Sequence, residues 1–226
     1  MKIGRIVDLS HKLCPAKEEY KLEVKRYFVD ELYPQYKRRP NDWYIMNEVT
    51  FLTHVGTHIE VPYHYLKEGK DMAEFPLEKL IGEGIVLDFT YKKPGQAIDV
   101  KDMKNHQEKI KEGDIVLIKT GIDKFYRTKR AHERPYLTNE AVKWLVKKKI
   151  HCLGVDCTGI EPKGLDYQIN HETLFENDIP LIEYLTNLDQ LKKDRFLLFI
   201  LPVAIKKIEA FPVRVIAIEE SDGIKS

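Results

Sequence analysis

Three short apolar runs most narrowly limit what this chain can fold into. They are GIVLDFT (residues 84–90), DIVLIKT (residues 114–120) and IHCLGVD (residues 150–156), each of strand length with glycine in or beside it. Consecutive apolar positions of this kind are typical of strands buried on both faces, as in parallel sheets covered by helices. Residues 138–149 precede the third run and have the period of an amphipathic helix with Thr138 as N-cap.

The rest of the chain adds strand patterns and two more helices. Strands are predicted at residues 3–9, 49–61, 179–184, 196–203 and 212–218, and helices at residues 18–32 and 167–176. About seven strands with a few helices between them predict an α/β fold whose mixed sheet has flanking helices. Glycine and proline are scattered and no repeat is present, so the sequence predicts a single domain over residues 1–226.

Composition excludes several classes of protein. Lys and Arg total 37 against 36 Asp and Glu, and a net charge of +1 argues against a nucleic-acid-binding protein. The longest apolar run, residues 196–205, is far shorter than the about 20 residues that a membrane span needs. An acid at position 8 argues against a signal peptide, and three cysteines without a CxxC pair favour a reducing compartment. These features predict a cytoplasmic protein.

Three of the eight histidines lie in one segment, HVGTHIEVPYH, residues 54–64. Side chains of a strand alternate between its two faces, and His54, His58, Glu60 and His64 have the same parity. An extended segment therefore directs three imidazoles and one carboxylate to one side. The segment is accordingly interpreted as a strand.

A helix would also place His54 and His58 on one face, as in the zinc protease motif HExxH. That motif requires glutamate at its second position, where this chain has Val55, and Pro62 would interrupt the helix. Imidazoles and a carboxylate together are the usual ligands of Zn²⁺ and related divalent ions. The alternative is a set of surface histidines, or of core histidines bonded to backbone groups.

The segment HVGTHIEVPYH resembles the HxGTHxDxPxH motif of the cyclase family of metal-dependent hydrolases, which includes bacterial kynurenine formamidase and isatin hydrolase. Later blocks are similar too: GDIVLIKTG at residues 113–121, GVD at residues 154–156 and NHETLFENDIPLIEYLTNLDQL at residues 170–191. The resemblance covers residues 49–226 and the opening strand IVDLS. It implies a swivelling β/β/α domain and an oligomeric protein.

The resemblance also implies a set of site residues. The metal ligands that it implies are His54, His58, Glu60, His171 and Glu183. His54, His58 and the acid at position 60 would hold a first ion, and the same acid would bridge to a second. His64 matches the general acid/base of the family. Glutamate replaces the usual aspartate at position 60, which leaves both a one-ion and a two-ion site open.

The residues themselves give the second pair of ligands weaker support. Glu183 lies in the apolar stretch IPLIEYL, where an unpaired carboxylate would be unfavourable to bury. His171 lies near the start of a predicted polar helix, where a solvated or capping histidine is the alternative. Residues 14–48 match no block of the family, and they either cover the pocket or make subunit contacts. Trp43, Tyr44, Tyr63 and Tyr65 are candidates for an aromatic pocket wall, with ordinary packing as the alternative.

The function predicted from these features is metal-dependent hydrolysis of an amide or related acyl bond in a small molecule. Zinc is the favoured metal, with manganese second, and one or two ions are expected. A bound divalent ion lowers the pKa of its water toward about 7, and His64 would act as general acid/base. The alternatives are a metal-binding module without catalysis and an oligomeric interaction module.

Overall fold

The computed structural model describes residues 4–164 and 167–220. The strands of this part of the chain are β1 (Arg5–Asp8), β2 (Leu22–Phe28), β3 (Ile45–Phe51), β4 (His58–Glu60), β5 (Ile81–Asp88), β6 (Ala97–Ile98), β7 (Ile115–Lys119), β8 (Tyr136–Leu137), β9 (Cys152–Val155), β10 (Leu181–Glu183), β11 (Phe196–Ile200), β12 (Ala210–Pro212) and β13 (Val215–Glu219). The α-helices are α1 (Val29–Leu32), α2 (Val100–Lys104), α3 (Asn139–Lys147) and α4 (Ile169–Phe175). Short 3-10 helices include Pro62–His64 and Lys129–His132.

A nine-stranded mixed sheet forms the centre of the fold. Its strand order is β1-β13-β11-β5-β7-β9-β10-β4-β12. The four strands β5, β7, β9 and β10 run parallel, and the remaining neighbours are antiparallel. The three apolar runs at residues 84–90, 114–120 and 150–156 correspond to β5, β7 and β9. The predicted α/β fold with a mixed sheet and flanking helices is thus confirmed.

Alternation along the parallel strands separates two apolar cores. In β7, Val116 and Ile118 pack toward the helices, whereas Ile115 and Leu117 belong to the opposite core. The helix side is filled by residues from α2, α3 and α4: Met103, Ala141, Val142, Leu145, Leu174 and Phe175. Thr138 caps α3 by accepting a hydrogen bond from the backbone of Ala141, as its position predicts.

The opposite core is enclosed by the sheet itself. Val7 and Val215 from one end of the strand order meet Ile59 from the other end in this core. The residue after β1, Leu9, donates its amide to Val215 at 2.9 Å and accepts from Thr186 at 3.0 Å. The sheet is therefore strongly curled, and its two ends approach each other near β10.

Two predictions of secondary structure near the N-terminus are wrong. The helix expected at residues 18–32 is mostly the strand β2, which pairs with β3 in a separate two-stranded sheet, and only Val29–Leu32 is helical. β-Branched and aromatic side chains suit this pairing, and Val24 lies directly opposite Val49. Residue 3 of the first predicted strand lies outside the described residues.

The strand expected at residues 49–61 is interrupted. It divides into the end of β3, a turn over residues 52–57 and the short strand β4. Gly56 makes this turn with φ of +67°.

In the described part of the chain, no helix has the length and apolar character needed to cross a bilayer.

Candidate metal centre

The pairing of β4 with β10 places three of the expected ligands on one face of the sheet. His58 lies directly opposite Glu183 in this antiparallel pair, and Glu60 lies two residues along the same strand. Residues two apart on a strand share a face, and so do residues directly opposite each other. The side chains of His58, Glu60 and Glu183 therefore converge, and all three are buried.

The turn before β4 adds His54 and fixes the ring of His58. The carbonyl oxygen of Gly56 accepts a hydrogen bond from Nδ1 of His58 at 2.8 Å, which leaves Nε2 free to act as a ligand. A Cβ at Gly56 would lie 2.2 Å from Cδ2 of Leu13, so the turn has no room for a side chain. The ring centroid of His54 is 4.9 Å from that of His58.

Two short helices supply the remaining imidazoles. The 3-10 helix Pro62–His64 places the ring of His64 with its centroid 4.7 Å from that of His54. The first turn of α4 carries His171, whose ring centroid is 6.5 Å from that of His64. The structure thus brings together all six residues expected at the site, although the single extended strand predicted to align the first four is absent.

Glu60 lies at the middle of this cluster. Its Oε1 is 3.2 Å from Nε2 of His58 and 3.3 Å from Nε2 of His54. Its Oε2 is 3.5 Å from Nε2 of His171. Each oxygen of the carboxylate therefore faces a different set of imidazoles, which is the arrangement that a bridging ligand requires.

Glu183 contacts the same imidazoles from the other side. Its Oε2 is 3.9 Å from Nε2 of His58, and its Oε1 is 3.7 Å from Nε2 of His171. The ligand atoms of His58, Glu60 and Glu183 all lie within 4.8 Å of one another. This trio can surround a single cation.

A second trio with the same compactness consists of His54, Glu60 and His64. His64, expected to act in proton transfer, is therefore also within ligand distance. Buried Nε2 of His54 and Oε2 of Glu60 have no hydrogen-bond partner among the described residues. Buried nitrogen and oxygen atoms without a hydrogen-bond partner, in residues that commonly bind metals, fit a divalent cation held by both atom types.

The carboxylates of the cluster raise the pKa values of the His58 and His171 rings. Burial lowers the pKa of His171, but its hydrogen bond to Glu161 and the proximity of Glu183 and Glu60 outweigh this and raise the pKa to about 10. Burial raises the pKa of Glu60, but contacts with His54 and His58 bring it well below its usual range. A bound cation would replace the protons that now balance these carboxylates.

The pKa of His64 is shifted in the opposite direction from that of His171. Burial lowers the pKa of His64 below its usual value, and the neighbouring Glu60 only partly opposes the effect. The ring of His64 is therefore neutral near pH 7, with a nitrogen able to accept a proton. This is the state that a general base needs.

Glu161 is a site residue that the sequence interpretation did not include. It is 8% exposed, and its Oε1 accepts a hydrogen bond from Nδ1 of His171 at 2.9 Å. The same oxygen accepts from the backbone amides of Asn170 at 2.7 Å and His171 at 3.0 Å. A carboxylate behind the ring directs Nε2 of His171 to the centre.

A cavity of about 530 Å³ opens onto the centre. Its lining residues include the site histidines, Glu60, Glu161 and Glu183, together with Tyr20 and Tyr184. Tyr184 has φ of +56°, an unusual conformation for a bulky residue that commonly marks functional sites.

The aromatic residues considered from the sequence, Trp43, Tyr44, Tyr63 and Tyr65, are not among the lining residues. The segment of residues 14–48 contributes Tyr20 instead.

Fold and site together define an α/β protein whose curled mixed sheet carries a buried His/Glu centre suited to divalent metal. The profile of the family described as Putative cyclase matches residues 7–162. The chain belongs to this family, as the HVGTHIEVPYH segment predicted.

Relatives of known name agree with this membership. Kynurenine formamidase of Erythrobacter litoralis is 29% identical over 178 residues, which cover 79% of this chain and 79% of the relative. Kynurenine formamidase of Bacillus cytotoxicus is 26% identical over 171 residues, covering 76% and 78% of the two chains.

Among solved structures, an isatin hydrolase bound to the product analogue thioisatinate superimposes with a TM-score of 0.83 at 20% identity, covering 96% of this chain and 92% of that one. Isatin hydrolase A from Ralstonia solanacearum gives a TM-score of 0.81 at 21% identity, with the same coverage. These likenesses establish the fold.

Proposed function

We propose that the protein is a metal-dependent hydrolase that cleaves an amide C–N bond in a small molecule. The observation that carries this proposal is the position of Glu60, whose Oε1 faces His54 and His58 while Oε2 faces His171. The relatives named kynurenine formamidase and the folds named isatin hydrolase support the same class of reaction. A metal-binding module without catalysis is the second candidate.

The proposed ligand set holds two ions. His54, His58 and Glu60 would bind the first, and Glu60, His171 and Glu183 the second. Support comes from Glu60, because each of its oxygens already has an imidazole partner at 3.2–3.5 Å. Nitrogen and carboxylate ligands in a compact cluster favour zinc, with manganese as the next candidate.

A divalent ion held by these residues would lower the pKa of a bound water molecule toward neutrality and would polarise the amide carbonyl. His64 accepts a proton from the attacking water at a ring nitrogen and returns it to the leaving nitrogen. Its half-buried ring has a lowered pKa, so it is neutral before the reaction and able to accept that proton. Glu161 keeps the His171 ring oriented, and the fixed carboxylates limit movement of the centre during the reaction.

The cavity supports a small, flat amide as substrate. Its volume of about 530 Å³ falls in the range of small-molecule sites. Tyr20 and Tyr184 line it, and aromatic side chains pack well against an aromatic ring. We therefore propose aryl formamides and cyclic aryl amides as the first substrates to examine.

Metal content and hydrolysis measured on the same samples test the proposal. Protein purified without chelator or His-tag, then incubated with zinc or manganese, is expected to hold about two equivalents of metal and to hydrolyse formanilide or isatin. His54→Ala and His171→Ala should each lose metal, whereas His151→Ala, outside the cavity lining, should retain it. Metal binding without hydrolysis of any aryl amide would favour the non-catalytic module, and absence of metal binding would contradict both candidates.

We also infer that the protein is a homo-oligomer. The arm formed by β2 and β3 exposes Val24 by 47% and Val49 by 50%, and Trp43 beside it by 68%. A two-stranded sheet alone is marginally stable, and clustered exposed apolar residues commonly mark contact surfaces. The variant with Val24→Ser and Val49→Ser should dissociate in light scattering, whereas the exposed control Leu77→Ser should not. An unchanged mass for both would remove the arm from the interface.

Residues 1–226 are proposed to form one domain, which the shared nine-stranded sheet supports, since its strands extend from Arg5 to Glu219.

A cytoplasmic location is proposed because Cys14, Cys152 and Cys157 are all free thiols. Fractionation of the native host, with immunodetection, tests the location.

A further inference from the structure

The cavity beside the metal centre contains a cationic side chain that the proposed reaction does not use. Arg134 follows the 3-10 helix Lys129–His132 and is one of the lining residues. Its Nε donates to the carbonyl and hydroxyl oxygens of Thr158, and its Nη1 donates to the carbonyl oxygens of Glu161 at 2.8 Å and Pro135 at 3.4 Å. These acceptors are all neutral, and Nη2 takes part in none of the four bonds.

Gly159 locates the free end of this guanidinium. With φ of +77°, Gly159 lies between the two groups: a Cβ placed on it would be 3.0 Å from Oε1 of Glu183 and 3.2 Å from Nη2 of Arg134. Nη2 therefore lies close to a carboxylate of the metal centre. An anion bound at Nη2 would lie directly beside the reacting groups.

Glu183 forms no hydrogen bond or ion pair with this cation. Its two oxygens face Nε2 of His58 and Nε2 of His171, at 3.9 and 3.7 Å, and it is an expected metal ligand. Within residues 4–164 and 167–220, Arg134 forms no ion pair with an acidic side chain. Because Nη2 of this half-buried guanidinium makes none of its hydrogen bonds, it keeps a charged donor available for an anionic ligand.

We propose that Arg134 binds a carboxylate of the substrate, so that the preferred substrate is an aromatic amide carrying a carboxylate near the scissile bond. This inference rests on the proposed hydrolase function and specifies its substrate class. The four hydrogen bonds from Nε and Nη1 hold the guanidinium in one orientation, so Nη2 meets the carboxylate with little loss of side-chain entropy.

Neighbouring cations reinforce the choice of an anion. Lys163 also lines the cavity and is exposed, which adds positive potential at its mouth. His132 lines it as well but is already close to a carboxylate, with Nε2 3.0 Å from Oε1 of Glu19. Arg134 thus remains the cation that is both fixed in orientation and open to the substrate.

A purely structural role for Arg134 makes a different prediction. By holding the carbonyl oxygens of Thr158 and Glu161, Arg134 also supports the segment that carries Gly159 and the Glu161 carboxylate. Loss of that support would slow every substrate alike. Loss of a carboxylate contact would slow only substrates that carry the carboxylate.

The experiment compares kcat/KM for 2-, 3- and 4-formamidobenzoate with that for neutral formanilide, using the metal-loaded full-length protein. All four release formate, so one assay serves for the whole series. For at least one carboxylate isomer, wild type should have a higher kcat/KM than for formanilide. Arg134→Gln should reduce this ratio of kcat/KM values, the carboxylate preference, by about 10- to 100-fold. The matched control Arg130→Gln removes the same charge from an exposed position over the Phe125 ring, and its preference should remain that of wild type.

Each outcome separates this inference from the hydrolase proposal. Hydrolysis of formanilide with no preference for any carboxylate, or an equal loss on all four amides in Arg134→Gln, would overturn the role of Arg134 while leaving the hydrolase in place. If metal-loaded wild type hydrolyses isatin but none of the four formamides, the role of Arg134 is overturned and the hydrolase remains; if it hydrolyses none of the five compounds, both proposals are overturned. If Arg134→Gln fails to fold, Arg134→Lys keeps the charge without the planar fork and should show a smaller fall in the same ratio.

Discussion

Glu161 accepts a hydrogen bond from Nδ1 of His171 at 2.9 Å, and its other oxygen is buried without a partner among the described residues. The contact turns Nε2 of His171 toward Glu60 and Glu183, at 3.5 and 3.7 Å. A carboxylate behind a ligand imidazole fixes its tautomer and increases its basicity. Glu161 therefore fixes the orientation of a proposed metal ligand from behind its ring.

Removal of this support should weaken metal binding. Glu161→Ala is expected to reduce the affinity of the site containing His171 by about 10- to 100-fold, as measured by competition with a chromophoric chelator. Glu161→Gln, which keeps an acceptor for the ring N–H, should lose less. Glu176→Gln changes an exposed position at the end of α4, the helix that carries His171, and should have the metal affinity of wild type. Wild-type affinity in Glu161→Ala would contradict the positioning role.

His64 is expected to act on protons and not as a ligand. Its lowered pKa keeps the ring neutral, so His64→Ala should reduce kcat by about 100- to 10,000-fold. The same variant should retain the full metal content measured by plasma mass spectrometry. Because the ligand atoms of His54, Glu60 and His64 lie within 4.8 Å of one another, loss of one equivalent would instead identify His64 as a ligand.

The turn before β4 should be intolerant of a side chain. Gly56 and Gly95 both have positive φ, +67° and +76°, so alanine at either should lower the free energy of unfolding by about 1–2 kcal/mol. Gly95 has open space around it, whereas a Cβ at Gly56 would overlap Leu13. Gly56→Ala is therefore expected to reach about 2–4 kcal/mol in urea titrations and to lose metal affinity, because the Gly56 carbonyl orients His58. Equal losses in the two variants would show that the turn adapts.

The sequence predicted which residues cluster better than it predicted the path of the chain through the cluster. Residue parity on one strand correctly grouped His54, His58, Glu60 and His64, but only His58 and Glu60 share a strand. His54 lies in the turn before β4 and His64 in the 3-10 helix that follows it. Both elements also keep their side chains close to those of the strand. Proline at position 62 is compatible with both an extended segment and the first position of a 3-10 helix, so the local pattern could not separate them.

Non-local contacts explain what the sequence did not reveal. β2 forms because it pairs with β3, and that pairing depends on residues about twenty positions away. Glu161 lies on an irregular segment ten residues before His171, with no periodic pattern to relate it to the ligands. By contrast, β5, β7 and β9 were predictable because burial on both faces requires consecutive apolar residues, a signal that is wholly local.

Asp156 supplies a pH-dependent test outside the metal centre. Its carboxylate, at the end of β9, accepts hydrogen bonds from the backbone amides of Thr120 at 2.9 Å and Gly121 at 2.7 Å. Burial nevertheless raises its pKa from 3.8 to about 6, so between these values the folded state binds more protons than the unfolded state. The contribution of Asp156 to stability is therefore greatest below pH 4 and is lost as the pH rises through 6.

Asp156→Asn removes this titration. Relative to wild type, its free energy of unfolding should rise by about 2–3 kcal/mol between pH 4 and pH 7, as measured by urea denaturation across that range. Comparing the variant with wild type at the same pH cancels the titration of all other groups. For the control Asp189→Asn, at an exposed position, the difference in free energy of unfolding from wild type should not change with pH. A flat difference for Asp156→Asn as well would mean that the hydrogen bonds from Thr120 and Gly121 offset the desolvation of the carboxylate, since charged acceptors gain most from such donors.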